Sequence, residues 1–175
     1  MSEVLSAIAK RSSTRGYTEQ KLTKEELDKL VLSGLQAPTA ANKQEIHITV
    51  VDGDNPILKE IEDTKNQSLE QPPQNNFYYG APIVLILSGD AGFYWSKVDA
   101  GIAVENIAIA AEGMGLGSLI IGCIKDALSG EKKEYFANAL KFPEGYEYEI
   151  AIALGYKAVS KEPHEFDVDK QVSYL

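Results

Sequence analysis

Near the start of the chain, Lys10 to Tyr17 (KRSSTRGY) places Arg11 and Arg15 on either side of three hydroxyls, Ser12, Ser13 and Thr14. Guanidinium forks match phosphate oxygens and hydroxyls add further donors, so residues of these types at this spacing suit a phosphate cradle. Each charge-assisted hydrogen bond of that kind contributes roughly 1.5 to 3 kcal/mol net. Taken alone, the segment also reads as a solvated turn with surface arginines. A second polar stretch, Ala37 to Gln44 (APTAANKQ), follows a helix stop at Pro38 and offers Thr39, Asn42, Gln44 and free backbone groups to a planar ligand. Turns without any ligand share that composition. A third, Gly113 to Ser118 (GMGLGS), imitates a dinucleotide fingerprint in the wrong setting, since it ends a helix and precedes a strand instead of the reverse. It reads as a helix C-terminus and a point of close backbone approach.

Other reactive side chains find simpler roles. Asp99 is expected to cap a helix, and Glu105 and Glu112 to be structural or interfacial. Cys123, between Gly122 and Ile124, reads as a buried small hydrophobe. His47 in a strand and His164 in the tail lack metal-ligand neighbours, so no metal is assigned, and no nucleophile elbow, P-loop or triad signature is found.

The elements that must position these segments follow from pattern. Ser2 caps a first helix with Val4, Leu5 and Ile8 on one face, which delivers Lys10 and Arg11 at its negative end. Thr23 and Glu26 have capping-box spacing, and Leu27, Leu30, Val31 and Leu35 carry the helix toward Pro38. IHITVV (46–51) predicts a strand, then a turn from Gly53 and a helix with Pro56 at its first position. The polar stretch from Lys65 to Gly80, with Pro72 and Pro73, predicts a loop. PIVLIL (82–87) predicts a strand buried on both faces. Ser96 with Asp99 is expected to cap a long helix to about Met114, apolar almost all round and therefore central or at a subunit interface. A strand over 118–122, a short helix over 131–140, an alternating strand over 146–154 and a charged tail from Tyr156 to Leu175 complete the chain. The order predicts one mixed α+β sheet domain with helices packed on it.

Composition narrows the function. The chain has 175 residues, 44% hydrophobic and 25% charged, as one globular domain should. With 26 acids against 17 bases the net charge is -9, the wrong sign for a nucleic acid or an anionic membrane surface. One cysteine, and an opening without a secretory pattern, point to a reducing cytoplasm. The apolar region from Gly101 to Ile124 is broken by Glu105 and Glu112 and is too short between charges to cross a bilayer.

In order, KRSSTRGY, APTAANKQEIH and DAGIAVENIAIAAEGMGLGSLIIG, with GAP before PIVLIL and GY after the last strand, resemble the defining segments of the nitroreductase family of FMN-dependent oxidoreductases. The resemblance implies a mixed, largely antiparallel sheet flanked by helices, in an intertwined homodimer. It implies a single FMN-binding domain over 1–175, with 156–175 an extension packing on the partner subunit. By resemblance, Arg11, Ser12 and Ser13 grip the FMN phosphate side and Arg15 faces the pyrimidine edge of the flavin. Pro38, Thr39, Asn42 and Gln44 complete the site across the dimer, and the backbone at Ile121 and Gly122 faces flavin N5. The implied reaction is ping-pong transfer from NADPH or NADH to a nitroaromatic, quinone or similar small acceptor. Hydride arrives at N5, negative charge spreads over N1 and O2 beside Arg15, and no acid-base side chain is required. An alternative is an FMN-binding sensor or scavenging module with little turnover; a third is an interaction domain that has lost its ligand.

Three departures from the family pattern carry expectations of their own. Glu45 and Ile46 stand where Pro and Trp are common, setting a negative charge beside the loop. The tail offers Lys157, Lys161 or His164 in place of the usual basic contact to the phosphate. The loop from Lys65 to Gly80 stands where relatives place helices over the substrate pocket, which predicts an open flavin site.

Overall fold

A computed structural model of the chain describes residues 2–67, 76–162 and 165–175. Along it run α1 (Glu3–Lys10), α2 (Lys24–Leu35), a 3-10 turn (Ala40–Asn42), β1 (His47–Asp52), α3 (Pro56–Gln67), β2 (Ile83–Asp90), α4 (Ser96–Gly113), β3 (Gly117–Ile121), α5 (Lys125–Ser129), α6 (Lys133–Ala139), β4 (Tyr146–Gly155) and α7 (Val168–Gln171). Local chemistry explains the boundaries. The Ser2 hydroxyl accepts the Leu5 N–H at 3.3 Å, and Thr23 and Glu26 exchange hydrogen bonds as a capping box. Asn55 Oδ1 accepts the Ile57 N–H at 3.0 Å, with Pro56 opening α3.

The four strands form one sheet in the order β1-β2-β4-β3, every neighbouring pair antiparallel. The only parallel pairing among the described residues is an isolated bridge between Ser13 and Ser118. The expected α+β sheet flanked by helices is therefore present. Alternation along β2 divides the core: Val84 and Ile86 face Leu58, Ile61, Phe136 and Leu140 of α3 and the α6 region, while Leu85 and Leu87 face Leu30 of α2 and Ile107 of α4. Between two apolar layers, β2 is buried along nearly its whole length, as its unbroken apolar run requires.

Several expectations are corrected. Lys65 to Gln67 complete the last turn of α3 instead of opening a loop, because Lys65 folds its stem against the core and pairs with Asp126 at the start of α5. Residues 68–75 of that expected loop lie outside the described residues, and Asn76 to Gly80 form a turn closed by Asn76 Oδ1 accepting the Gly80 N–H at 2.9 Å. Ser96 and Asp99 do not cap α4: Trp95 stands at the N-cap, the Ser96 hydroxyl donates to the Asp90 carbonyl at 2.9 Å, and Asp99 reaches a different loop. The turn before α4 folds back on the end of β2 and diverts both groups. Cys123 is exposed, not buried. It follows β3 where the chain leaves the sheet, and its neighbour Ile124 fills the core instead.

Helix α4 packs against α1, α2 and three of the strands, as a helix apolar all round should. Ile107 at its centre is fully buried between Leu30 and the sheet. Ile107→Ala should lower the unfolding free energy by about 2 to 5 kcal/mol, the range for truncating a buried aliphatic side chain. Urea denaturation followed by circular dichroism measures it.

Candidate functional site

The basic segment is held in an extended path across the start of β3. The Thr14 N–H donates to the Ser118 carbonyl at 2.8 Å, the Thr18 N–H to the Tyr156 carbonyl at 2.9 Å, and the Ala158 N–H to the Gly16 carbonyl at 3.0 Å. The Ser12 hydroxyl donates to the Lys161 carbonyl at 3.1 Å. Two glycines make room for this crossing. Gly117 and Gly155 are direct partners across β3 and β4. A Cβ on Gly117 would lie 2.7 Å from Thr14 Oγ1, and one on Gly155 would lie 2.5 Å from Pro82 Cδ and 2.9 Å from Tyr17 Cδ1. The expected close backbone approach after α4 is real, and Thr14 is what approaches.

The cations of this region have partners on α4. Arg11 Nε lies 3.3 Å from Glu105 Oε1 in a half-buried pair, which leaves the two terminal nitrogens of the guanidinium for another anion. Lys157 Nζ lies 2.6 Å from Glu112 Oε2. Arg15 is exposed and forms no ion pair among the described residues. Ser12 and Ser13 are half-buried beside it. Of the three tail groups considered for the same anion, Lys157 is committed to Glu112, Lys161 has its backbone against Ser12, and His164 lies outside the described residues.

At the far end of β3, buried Ile121 is followed by exposed Gly122. From Ser118 to Gly122 the strand spans about 13 Å at roughly 3.3 Å per residue. The Ile121 carbonyl is fixed by the Tyr148 hydroxyl, which donates at 2.7 Å. Burial drives the Tyr148 pKa well upward, so the phenol keeps the proton it donates. Tyr148 was invisible as a functional residue in the sequence, where it is one more position of an alternating strand.

The 38–44 loop is rigid for a different reason. Ala41, Asn42 and Gln44 all have positive φ, 53°, 53° and 52°. Each such non-glycine residue costs on the order of 1 kcal/mol or more and persists only where surrounding bonds dictate it. Those bonds are present: the Thr39 hydroxyl accepts the Gln44 N–H at 2.9 Å and Asp99 Oδ2 accepts the Ala40 N–H at 2.9 Å. Lys43 pairs with Asp90 at 2.8 Å and lies 4.1 Å from the centroid of the Phe93 ring. Pro38, Asn42 and Gln44 are left exposed at the surface, with Thr39 half-buried beneath. No hydrogen bond or ion pair among the described residues joins this loop to the basic segment within one chain. Asp99 is the tether that sequence reasoning missed, and its signal was a buried carboxylate near the start of a largely apolar helix.

Comparison with known proteins identifies the family and the fold. The family model for the Nitroreductase family matches residues 8–156. An Archaeoglobus fulgidus protein named as an NADH dehydrogenase/NAD(P)H nitroreductase is 28% identical over 95% of this chain and 92% of its own length. The FMN reductase (NADPH) of Bacillus subtilis is 28% identical over 90% of this chain and 67% of its own. A crystal structure of a nitroreductase with bound FMN from Desulfitobacterium hafniense superposes with a TM-score of 0.90 at 30% identity, covering 100% of this chain and 99% of that one.

Gly117→Ala tests the crossing. The new methyl meets Thr14 and Lys157 Cγ below 3.0 Å, so the expected result is a lower thermal midpoint together with faster amide exchange at Thr14 than in the unsubstituted chain. Unchanged exchange at Thr14 would contradict the docking.

Proposed function

The chain belongs to the Nitroreductase family and is accordingly an oxidoreductase, and we propose that it is an FMN-dependent NAD(P)H oxidoreductase acting on nitroaromatic, quinone or similar small acceptors. The observation that carries this reading is the basic segment pinned at the start of β3, with exposed Gly122 at the strand's other end. The residues fit the cofactor: a half-buried guanidinium with free terminal nitrogens, two hydroxyls, and a small residue where a flat ring must approach the backbone. Bound FMN supplies the redox chemistry, taking hydride from NADPH or NADH and passing electrons to the acceptor in ping-pong order.

The protein's part is binding and orientation. Arg11 and Ser13 would grip the phosphate, joined by Ser12 once its hydroxyl turns from the Lys161 carbonyl, while Glu105 fixes the direction of the Arg11 guanidinium. Lys161, whose backbone abuts Ser12, is the tail cation that supplements it. Arg15 would face the pyrimidine side of the flavin, where a fixed cation favours negative charge. The backbone of Ile121 and Gly122 would face the flavin, with the Ile121 carbonyl fixed by the Tyr148 hydroxyl. Protons come from water.

The second half of the site comes from a second copy of the chain, whose 38–44 loop brings Pro38, Thr39, Asn42 and Gln44. Two features support the homodimer. The loop stands apart from the basic segment within one chain, and α1 exposes Val4, Leu5 and Ile8 at 63%, 56% and 49%. In that assembly residues 1–175 act as one domain, with the 156–175 extension packed on the partner, in the cytoplasm. Among the described residues, no helix is long and apolar enough to cross a membrane. A second reading, FMN binding with little turnover, is favoured by one observation: Lys157 is engaged by Glu112 and withdrawn from the phosphate.

A visible spectrum of the purified protein, freed of unbound FMN and recorded before and after anaerobic NADPH or NADH, separates these readings. Retained flavin that bleaches quickly supports the enzyme, retained flavin that stays oxidised supports the binding module, and no retained flavin overturns both. Arg11→Ala should weaken FMN binding by about 1.5 to 3 kcal/mol, roughly ten- to a hundredfold. Lys161→Ala should weaken it less, and Lys157→Ala least, as fluorescence titration with FMN would measure.

A further inference from the structure

Glu45 is 5% exposed, and neither carboxylate oxygen meets a hydrogen-bond donor in good geometry. Its charged neighbour is another acid, Asp99 of α4, itself 2% exposed. Two buried carboxyls side by side, one of them with no donor to either oxygen, form an arrangement that proteins avoid unless a proton turns that one into a donor to the other. We infer that Glu45 keeps its proton and donates it to Asp99, and that this hydrogen bond positions the 38–44 loop. Asp99 Oδ2 already accepts the Ala40 N–H, so the carboxyl that pairs with Glu45 is the one that tethers the loop. A protonated Glu45 donates to Asp99 and leaves a single negative charge, which the Ala40 N–H meets. A second negative charge in the same buried space would drive the carboxylates apart and release the tether.

The surroundings support the pairing. Burial first, and the Asp99 charge with it, raise the Glu45 pKa, against a backbone hydrogen bond and the Ser96 hydroxyl, which lower it. The groups on other elements do not neutralise it. Lys43 on the loop is taken by Asp90 at the end of β2. His47 on β1 is held toward its neutral form by burial. On β4, Glu149 flanks the same glycine as Ser96: a Cβ built on Gly89 would lie 3.2 Å from Ser96 Oγ and 3.3 Å from Glu149 Cγ. Its own pKa is raised by burial and by Glu147, against Lys97 and Lys125, so its electrostatic partners are groups other than the pair.

The sign of the effect follows. The folded chain holds a proton that the unfolded chain gives up near the ordinary glutamate value, so the stabilisation is fully present in acid and is lost as pH rises through the raised folded value. Glu45 and Asp99 are positioning residues and touch no substrate.

The test uses the purified chain without added flavin, so its outcome is independent of the cofactor reading. Amide exchange at Ala40 is followed by NMR from mildly acidic to mildly alkaline pH in the unsubstituted protein and in Glu45→Gln, whose amide donates at every pH. Intrinsic exchange chemistry cancels in the ratio. The expected result is that Ala40 protection, relative to Glu45→Gln, falls severalfold as pH rises, because the proton that holds the tether is lost. The midpoint of thermal unfolding should fall relative to Glu45→Gln over the same interval. Parallel pH profiles in the two proteins would overturn the inference, because a merely structural glutamate gives a constant offset. Should Glu45→Gln not fold, Asp99→Asn keeps an acceptor for Ala40 and removes the charge beside Glu45; Ala40 protection should then depend on pH more weakly than in the unsubstituted protein, and an unchanged pH dependence would overturn the inference.

Discussion

The facing glycines at 117 and 155 are the constraint on which the candidate site rests. Any side chain at either position would occupy the space that Thr14 and Tyr17 fill. Because both are absent, a segment that belongs to no strand lies against the sheet, donating to β3 on one side and exchanging hydrogen bonds with the 156–161 segment on the other. A run of arginine and hydroxyl residues at a helix end would otherwise be a flexible turn. Here it has a fixed direction and a fixed distance from Gly122, which converts a composition into a site.

Electrostatics follow the same layout. In a chain of net charge -9, free cations near an anion site would be expected to wander toward the nearest carboxylate. Glu105 and Glu112 are seven residues apart on α4, two turns along one face, and they engage Arg11 and Lys157. Partly exposed pairs of this kind add little to stability. Their value is orientation, since each fixes one end of a long side chain. The protonated Glu45 beside Asp99 is the buried counterpart, an acidic pair that holds a loop instead of a cation.

Elements with a local physical cause were legible in the sequence. The Thr23 capping box, the Asn55 and Pro56 helix start and the apolar run of β2 each carry their instruction within a few residues, and each formed where it was read. The readings that failed depended on distant partners. Asp99 has a capping residue's chemistry, but the 38–44 loop before β1 brings it Ala40, 59 residues away, as a partner. Lys65 looked like the start of a polar loop and became the end of α3 because Asp126 was waiting on another helix. Cys123 sits among apolar residues in sequence, yet the chain is already leaving the sheet there. Tyr148, Glu105 and Glu112 support the site through contacts that only the sheet order and the long helix bring together.

That sheet order also dictates when the site comes into being. β4 is the last strand in the sequence but lies between β2 and β3, so neither has its shared neighbour until residue 155 has been made. The basic segment, synthesised first, finds its hydrogen bonds at Tyr156 and Ala158. Contacts of such long sequence separation form slowly and late. During translation the cationic end of the molecule therefore waits, unpaired, for almost the whole chain to emerge. The basic segment takes its final place with closure of the sheet and not before.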